Sequence, residues 1–178
     1  DEVMYIGLTS GTGKDEVFAA TRNGIAIRFS EKDVRSMGTG AAGVKGITLR
    51  DKDKIVGAAI INSEMNNDEM RILTITEEGY GKRTKLSEYR LTSRGGKGII
   101  NAKLNDKTGK IVDVKIVTEN DEIMLITSEG TLIRTSVNNV SVIGRSASGV
   151  RIMKVRNNEK IASVVKITEE PELSEDEQ

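Results

Sequence analysis

The sequence contains no cysteine, no tryptophan and no histidine, and only 3% of its residues are aromatic. These absences exclude disulfides, thiolate zinc sites and acid–base catalysis by imidazole. No apolar run approaches the roughly 18 residues that cross a bilayer, and the first residues lack the charged and apolar regions of a signal peptide. We therefore expect no membrane association and a cytoplasmic location.

Little in the chain suggests catalysis. The three tyrosines fall in predicted strands or at apolar positions, where packing is their expected role. The carboxylates of Glu77 and Glu78 fall at a predicted turn, where water surrounds them. The spacing Gly38-Thr-Gly-Ala-Ala-Gly43 matches a dinucleotide-binding fingerprint, but a predicted strand follows it and that motif requires a helix. We predict no catalytic residue, no metal site and no cofactor in this chain.

The formal net charge of zero conceals an uneven distribution. Residues 168–178 include six acidic residues and no basic one. Removing those six from the 27 acidic residues leaves 21 against 27 basic residues, an excess of about six positive charges. The segment from Arg71 to Asp113 alone holds ten basic and five acidic residues. This basic body favours a polyanionic ligand, and the acidic tail is predicted to be disordered.

Three copies of one pattern occur along the chain, each with a threonine, a glycine three residues later and an arginine four residues after that. They span Thr21 to Arg28, Thr76 to Arg83 and Thr127 to Arg134. The glycines lie 55 and 51 residues apart, a period typical of propeller-like arrays built from short strands. Because the repeated charged residue is arginine, such an array would present positive charge at intervals to a long polyanion.

Each repeat is predicted to contain four strands and no helix. A glycine turn joins the first two strands, which fall at 17–22 and 25–29 in the first repeat. The third strands are predicted at 47–49, 99–104 and 150–155. The fourth strands, rich in β-branched residues, are predicted at 54–61, 111–117 and 161–167.

The predicted fold class is therefore all-β, a partial array of about three four-stranded blades. We place the blades at 13–61, 62–117 and 118–167. Residues 1–8 resemble residues 53–60, the fourth strand of the first repeat, so we interpret residues 1–12 as the end of a preceding blade. Residues 168–178 form the acidic tail.

Several basic residues recur at matched positions in the repeats. Lysine and arginine on a curved surface can neutralise phosphates at intervals, which gives salt-dependent binding without reading of bases. The adjacent glycines 95 and 96 would also let backbone amides approach a phosphate closely. The predicted phosphate contacts are Arg28, Lys45, Lys82, Arg83, Lys85, Arg90, Arg94, Gly95, Gly96, Lys97, Arg134, Arg145 and Arg151.

The motifs resemble those of a known family. The matching segments are Gly79-Tyr-Gly-Lys-Arg-Thr84, Tyr89-Arg90, Arg94-Gly-Gly-Lys-Gly98 and Val142-Ile-Gly-Arg-Ser-Ala-Ser-Gly-Val-Arg-Ile152. They are similar to the C-terminal DNA-wrapping domain of bacterial DNA gyrase A, and the likeness runs from residue 1 to about residue 167.

The resemblance implies a β-pinwheel, a propeller-like disc in which neighbouring blades exchange strands and DNA bends around a basic rim. It implies non-specific binding and wrapping of double-stranded DNA, which is then presented to a separate cleavage domain for ATP-dependent negative supercoiling. The implied partners are the rest of the gyrase A protein and the gyrase B protein. ATP and magnesium would act elsewhere in that enzyme.

One departure from the family pattern concerns the gyrase A box, Gln-Arg-Arg-Gly-Gly-Lys-Gly, which is normally in the first blade. Here Arg94 to Gly98 match, but Thr92 and Ser93 replace the first two positions, and the copy lies in the middle of the chain. We interpret it as a degenerate copy. Two other interpretations stay open, the C-terminal domain of topoisomerase IV and a propeller that binds proteins. Exposed blade edges would also favour homo-oligomers.

Overall fold

The computed structural model describes residues 2–65, 67–156 and 158–167. Short 3-10 helices at Glu31–Asp33, Leu86–Glu88 and Val137–Asn139 are the helical elements of this part of the chain. None of its helices could span a membrane. The strands are β1 (Glu16–Thr21), β2 (Ile25–Ser30), β3 (Ile55–Ile61), β4 (Arg71–Thr76), β5 (Tyr80–Lys85), β6 (Ile99–Ile100), β7 (Ile111–Val117), β8 (Glu122–Thr127), β9 (Leu132–Ser136), β10 (Val150–Arg151) and β11 (Ile161–Ile167).

The strands form three antiparallel sheets, which we call the first, second and third blades. Their orders are β3-β1-β2-β6, β10-β5-β4-β7 and β11-β8-β9. The outer strand β6 of the first blade comes from the second repeat, and β10 of the second blade comes from the third repeat. Neighbouring blades therefore exchange strands, as the resemblance implies, and the all-β prediction is confirmed.

The exchanged strands are shorter than predicted. Strands β6 and β10 have two residues each, because Asn101 and Ile152 already turn inward and donate their amides to Gly24 and Gly79 at the hairpin turns. Residues 47–49 form no strand, and Thr48 instead donates its amide to the Gly96 carbonyl of the loop 92–98. Residues 2–10 also form no strand, so the preceding blade stays a prediction. The acidic tail lies outside the described residues.

The apolar core lies between blades. One cluster joins the first and second repeats, where the ring of Phe18 meets Tyr89 edge-on with centroids 5.0 Å apart. A second cluster joins the second and third repeats and includes Leu73, Ile123 and Val140. Burial of one such side chain contributes about 1.5–3 kcal/mol, so each blade is stabilised mainly by its neighbours.

Glu77 is predicted from the sequence to be solvated, but its side chain is only 13% exposed and joins all three repeats at the edge where β3, β7 and β11 approach one another. Its carboxylate accepts hydrogen bonds from Arg22 Nη2 at 2.6 Å and Lys160 Nζ at 3.1 Å. Burial opposes ionisation of Glu77, but the hydrogen bonds from Arg22, the Lys110 amide and Lys160 outweigh it and hold its pKa below the ordinary value.

Candidate nucleic-acid interface

The repeated arginines of the first two blades reach into the next blade. Arg28 Nη1 donates to the carbonyls of Leu86 at 3.2 Å and Tyr89 at 3.0 Å, and Arg28 Nε pairs with Glu16. Arg83 Nε donates to the Val140 carbonyl at 2.6 Å. Both side chains are largely buried. Arg28 and Arg83 were predicted to contact phosphates, but their guanidinium groups already donate hydrogen bonds to buried carbonyls. Their role in this structure is to link neighbouring blades.

Lys82 is also removed from the predicted surface. Its side chain is buried, and Nζ donates to the carbonyls of Gly144 at 3.0 Å and Arg145 at 2.5 Å. Burial lowers the pKa of Lys82 to about 8, because desolvation penalises the charged ammonium. In a sequence, a strand lysine that points inward cannot be told from one that faces water.

Arg134, the third member of the repeated arginine series, remains exposed. Its Nε donates to Glu122 Oε2 at 2.7 Å, and 55% of the side chain is accessible. Lys85, at the end of β5, is exposed as well. These two predicted contacts keep access to a ligand.

The glycine-rich loop 92–98 is held rigidly against the first repeat. The Thr92 amide donates to the Arg28 carbonyl at 2.9 Å, and the Thr48 hydroxyl donates to the Gly95 carbonyl at 2.7 Å. The Gly95 amide donates to the Gly46 carbonyl at 2.7 Å. That amide is therefore used inside the protein, which corrects the expectation that it approaches a phosphate. Gly96 is exposed.

Arg94 and Arg145 occupy matched places in their loops and make matched contacts. The Arg94 amide donates to Asp33 Oδ2 at 3.2 Å, and its guanidinium donates to the carbonyls of Asp33 and Lys45. The Arg145 amide donates to Glu88 Oε2 at 2.8 Å, and its guanidinium donates to the Ile100 carbonyl. Both side chains are half-buried, so they position their loops as well as adding charge.

A groove of about 350 Å³ runs between β2 and the loop 92–98, and we call it the basic groove. Arg90 and Lys97 line it and are exposed, and Lys45 lies in the neighbouring segment that holds the loop. Among the described residues, no carboxylate lies within 4.0 Å of these three cations in an ion pair. Exposed cations without carboxylate partners are free to neutralise phosphates.

A second basic surface surrounds Tyr80 on the second blade. Arg151 Nη2 donates to the Tyr80 hydroxyl at 2.8 Å, and its guanidinium carbon lies 5.2 Å from the ring centroid. Lys107 and Lys154 line the same depression. Sequence reasoning predicted Arg151 but missed these two lysines. It also missed the exposed Arg35, although its place after Val34 matches that of Arg90 after Tyr89.

Buried polar groups form a hydrogen-bonded cluster of Tyr89, Asn101 and Thr74. The Tyr89 hydroxyl donates to Asn101 Oδ1 at 2.5 Å, and Asn101 Nδ2 donates to Thr74. Burial raises the pKa of Tyr89 above its ordinary value, so the phenol keeps its proton. Within the described ranges, no three acidic, histidine or cysteine side chains converge to hold a metal ion.

Comparison with known proteins agrees with this arrangement. The sequence matches the family described as DNA gyrase C-terminal domain, beta-propeller, over residues 15–62, 71–118 and 121–168. These three matches correspond to the three repeats.

The DNA gyrase A protein of Staphylococcus epidermidis is 43% identical over 170 residues, which cover 96% of this chain and 18% of that protein. The chain thus spans about a fifth of the length of its curated relatives. A solved DNA gyrase A C-terminal domain is 31% identical with a TM-score of 0.77, over 87% of this chain and 51% of that one. A solved topoisomerase IV C-terminal domain is 28% identical with a TM-score of 0.79, over 87% of this chain and 47% of that one.

Proposed function

The chain belongs to the DNA gyrase A C-terminal domain family, and we propose that it binds and bends duplex DNA through the basic groove without reading base sequence. The observation that carries this proposal is a set of exposed cations that make no ion pair with any described residue, Lys45, Arg90 and Lys97, beside the glycine loop 92–98. Cations placed in this way bind phosphates, which every DNA sequence presents alike.

The second basic surface extends the proposed contact to the second blade. Arg151, Lys107 and Lys154 lie on the exchanged strand and turns of that blade. In this proposal DNA touches both the basic groove and this surface and bends between them. Bending of DNA is favourable when it allows additional phosphate contacts.

The role of the larger protein is part of the same proposal. The chain would present bent or wrapped DNA to a separate cleavage domain of the gyrase A protein, in an enzyme completed by gyrase B that performs ATP-dependent negative supercoiling in the cytoplasm. ATP and magnesium would act in those other parts. The 43% identity to the DNA gyrase A protein of Staphylococcus epidermidis favours a gyrase parent over topoisomerase IV.

The experiment measures binding to a fluorescent duplex from about 50 to 200 mM salt. Arg90→Ala with Lys97→Ala should weaken binding and reduce the slope of log K against log salt by about 2, because each neutralised phosphate contributes about 0.9. The control, Lys54→Ala with Lys110→Ala, removes the same charge from exposed turn positions before β3 and β7.

Equal weakening by both variants would show that only net charge matters and would overturn the groove assignment. Absence of binding at the lowest salt would overturn DNA binding itself and favour a protein-binding propeller. Energy transfer between dyes on the two ends of the duplex tests bending separately, since a straight duplex keeps its end-to-end distance when bound.

A further inference from the structure

A lysine directly precedes the last strand of each repeat, and the fold brings the three lysines to one end of the structure. Lys54, Lys110 and Lys160 come before β3, β7 and β11, and all three are exposed. Strand β7 packs beside both β3 and β11. The Arg22 backbone bonds to the Lys54 carbonyl and to the first residue of β7. The Glu77 backbone bonds in the same way to the Lys110 carbonyl and to the first residue of β11.

A depression of about 510 Å³ lies at this end, and we call it the lysine depression. Its charged lining residues are Arg22, Lys54, Lys160 and Glu77. Three cations and one carboxylate leave two net positive charges. The rest of the lining is apolar and includes Val56 of β3 and Val112 of β7. Both valines are half-buried, so they keep apolar surface that a ligand can cover.

Glu77 holds the cations of the lysine depression in place without covering them. Its carboxylate pairs with both Arg22 and Lys160, whose side chains remain 42% and 54% exposed. Lys54 makes no ion pair with any described residue. The carboxylate of the neighbouring Asp53 accepts hydrogen bonds from the backbone amides of Asn23 and Lys54, so it serves its own turn. The cations are therefore open to an anionic ligand.

The lysine depression is separate from the basic groove. Strands β3 and β6 form opposite edges of the first sheet, and the loop 92–98 of the groove leads directly into β6. These edges are roughly 14 Å apart, three strand spacings of about 4.8 Å. A DNA backbone offers phosphates and sugars, which do not match the apolar part of the lining. A ligand that fits the whole depression carries anionic groups around an apolar one.

We propose that the lysine depression binds an acidic segment of a partner protein, one with carboxylates on both sides of an apolar side chain. The carboxylates would pair with Arg22, Lys54 and Lys160, since charge-assisted hydrogen bonds are the strong ones. The apolar side chain would cover Val56 and Val112, as apolar groups do at the centre of protein interfaces. This site is independent of the proposed DNA contact.

The test uses the 178-residue chain and a fluorescent peptide, Glu-Asp-Glu-Leu-Glu-Asp-Glu, with anisotropy at about 50 mM salt, where charge pairing is weakly screened. Lys54→Ala with Lys160→Ala should weaken binding at least about tenfold, because hydrogen bonds to charged groups are lost. The control, Lys14→Ala with Lys32→Ala, removes the same charge from exposed positions at the other end of the β1–β2 hairpin. Equal weakening by both variants, or no binding to the native chain, would overturn the proposal.

Three further measurements identify the ligand class. A peptide with Ser in place of Leu should bind several-fold more weakly, because it leaves the valines uncovered; equal binding would overturn the peptide assignment in favour of a simple polyanion. Excess duplex DNA should leave the peptide bound, and displacement would make the depression another DNA contact.

The third measurement uses the full-length chain with the six acidic residues of 168–178 changed to Asn or Gln. Its affinity for the peptide should equal that of the native chain. A higher affinity would assign the depression to the chain's own acidic residues and overturn the partner. A failure to bind DNA through the basic groove would leave all of these results unaffected.

Discussion

Arg83 Nε donates a 2.6 Å hydrogen bond to the carbonyl of Val140, a residue of the next repeat that is fully buried. Arg28 makes the matching bond to Tyr89 at 3.0 Å. The residue that repeats most visibly along the sequence therefore links successive blades. The proposed DNA contacts fall on less regular positions, such as Arg90 and Lys97.

We expect Arg83→Ala to lower the free energy of unfolding by about 1–3 kcal/mol, because it leaves the buried Val140 carbonyl without a donor. Arg134→Ala should lower it by less than about 1 kcal/mol, because its ion pair is exposed. Urea unfolding at protein concentrations where the chain is monomeric measures both. Equal losses would contradict the assignment of Arg83 as a link between blades.

A second prediction concerns the turn glycines Gly79 and Gly130, whose φ angles are 76° and 82°. A Cβ on Gly79 would lie 2.2 Å from the Met153 carbonyl oxygen, whereas a Cβ on Gly130 would meet no atom within 4 Å. Gly130→Ala should lose about 1 kcal/mol from backbone strain alone. Gly79→Ala should lose distinctly more, because the segment after β10 must also move. Similar thermal stabilities of the two variants would show that the exchanged segment contributes little.

The third prediction concerns pH and Lys82, whose pKa falls from 10.5 to about 8 on burial. Below about pH 8 the ammonium is charged in the folded and unfolded states, and its burial reduces stability. Between about pH 8 and 10.5 the unfolded chain binds more protons, so this penalty is relieved and stability rises.

Lys82→Met removes this titration while keeping an unbranched side chain. The stability of the native chain minus that of Lys82→Met should therefore rise by up to about 3 kcal/mol across this pH range, since one pKa unit corresponds to about 1.4 kcal/mol. Chemical unfolding at several pH values measures the difference. A difference that stays constant from pH 7 to 10.5 would mean that the ammonium is not desolvated.

The fourth prediction concerns residues 168–178, whose six acidic residues we expect to compete with DNA for the basic surfaces. Removal of these residues should raise DNA affinity several-fold at low salt and have little effect at high salt, because charge interactions are screened. A control of full length, with the six acids changed to Asn or Gln, should behave like the truncated chain. Unchanged affinity at low salt would rule out competition by the tail.

The predicted elements that depend on local pattern were correct. The fourth strands at 111–117 and 161–167 match β7 and β11, because β-branched residues and turn glycines act over a few residues. The predicted strand at 47–49 was wrong for the described structure, and 99–104 was too long. A strand that joins another repeat's sheet depends on a partner distant in sequence, which its own residues do not specify.

The candidate site also contains residues that the sequence predicted correctly and residues whose exposure depended on packing. Lys45, Arg90 and Lys97 were predicted from the sequence and are exposed around the basic groove. The sequence alone determined the three repeats, the all-β class, the family and the surplus of positive charge outside residues 168–178. Only the tertiary structure decided which cations face water. Three other cations have the same chemistry as the groove residues, but the next blade supplies carbonyl partners for them: Arg28, Lys82 and Arg83. The burial of these side chains depends on packing between repeats, which the sequence does not show.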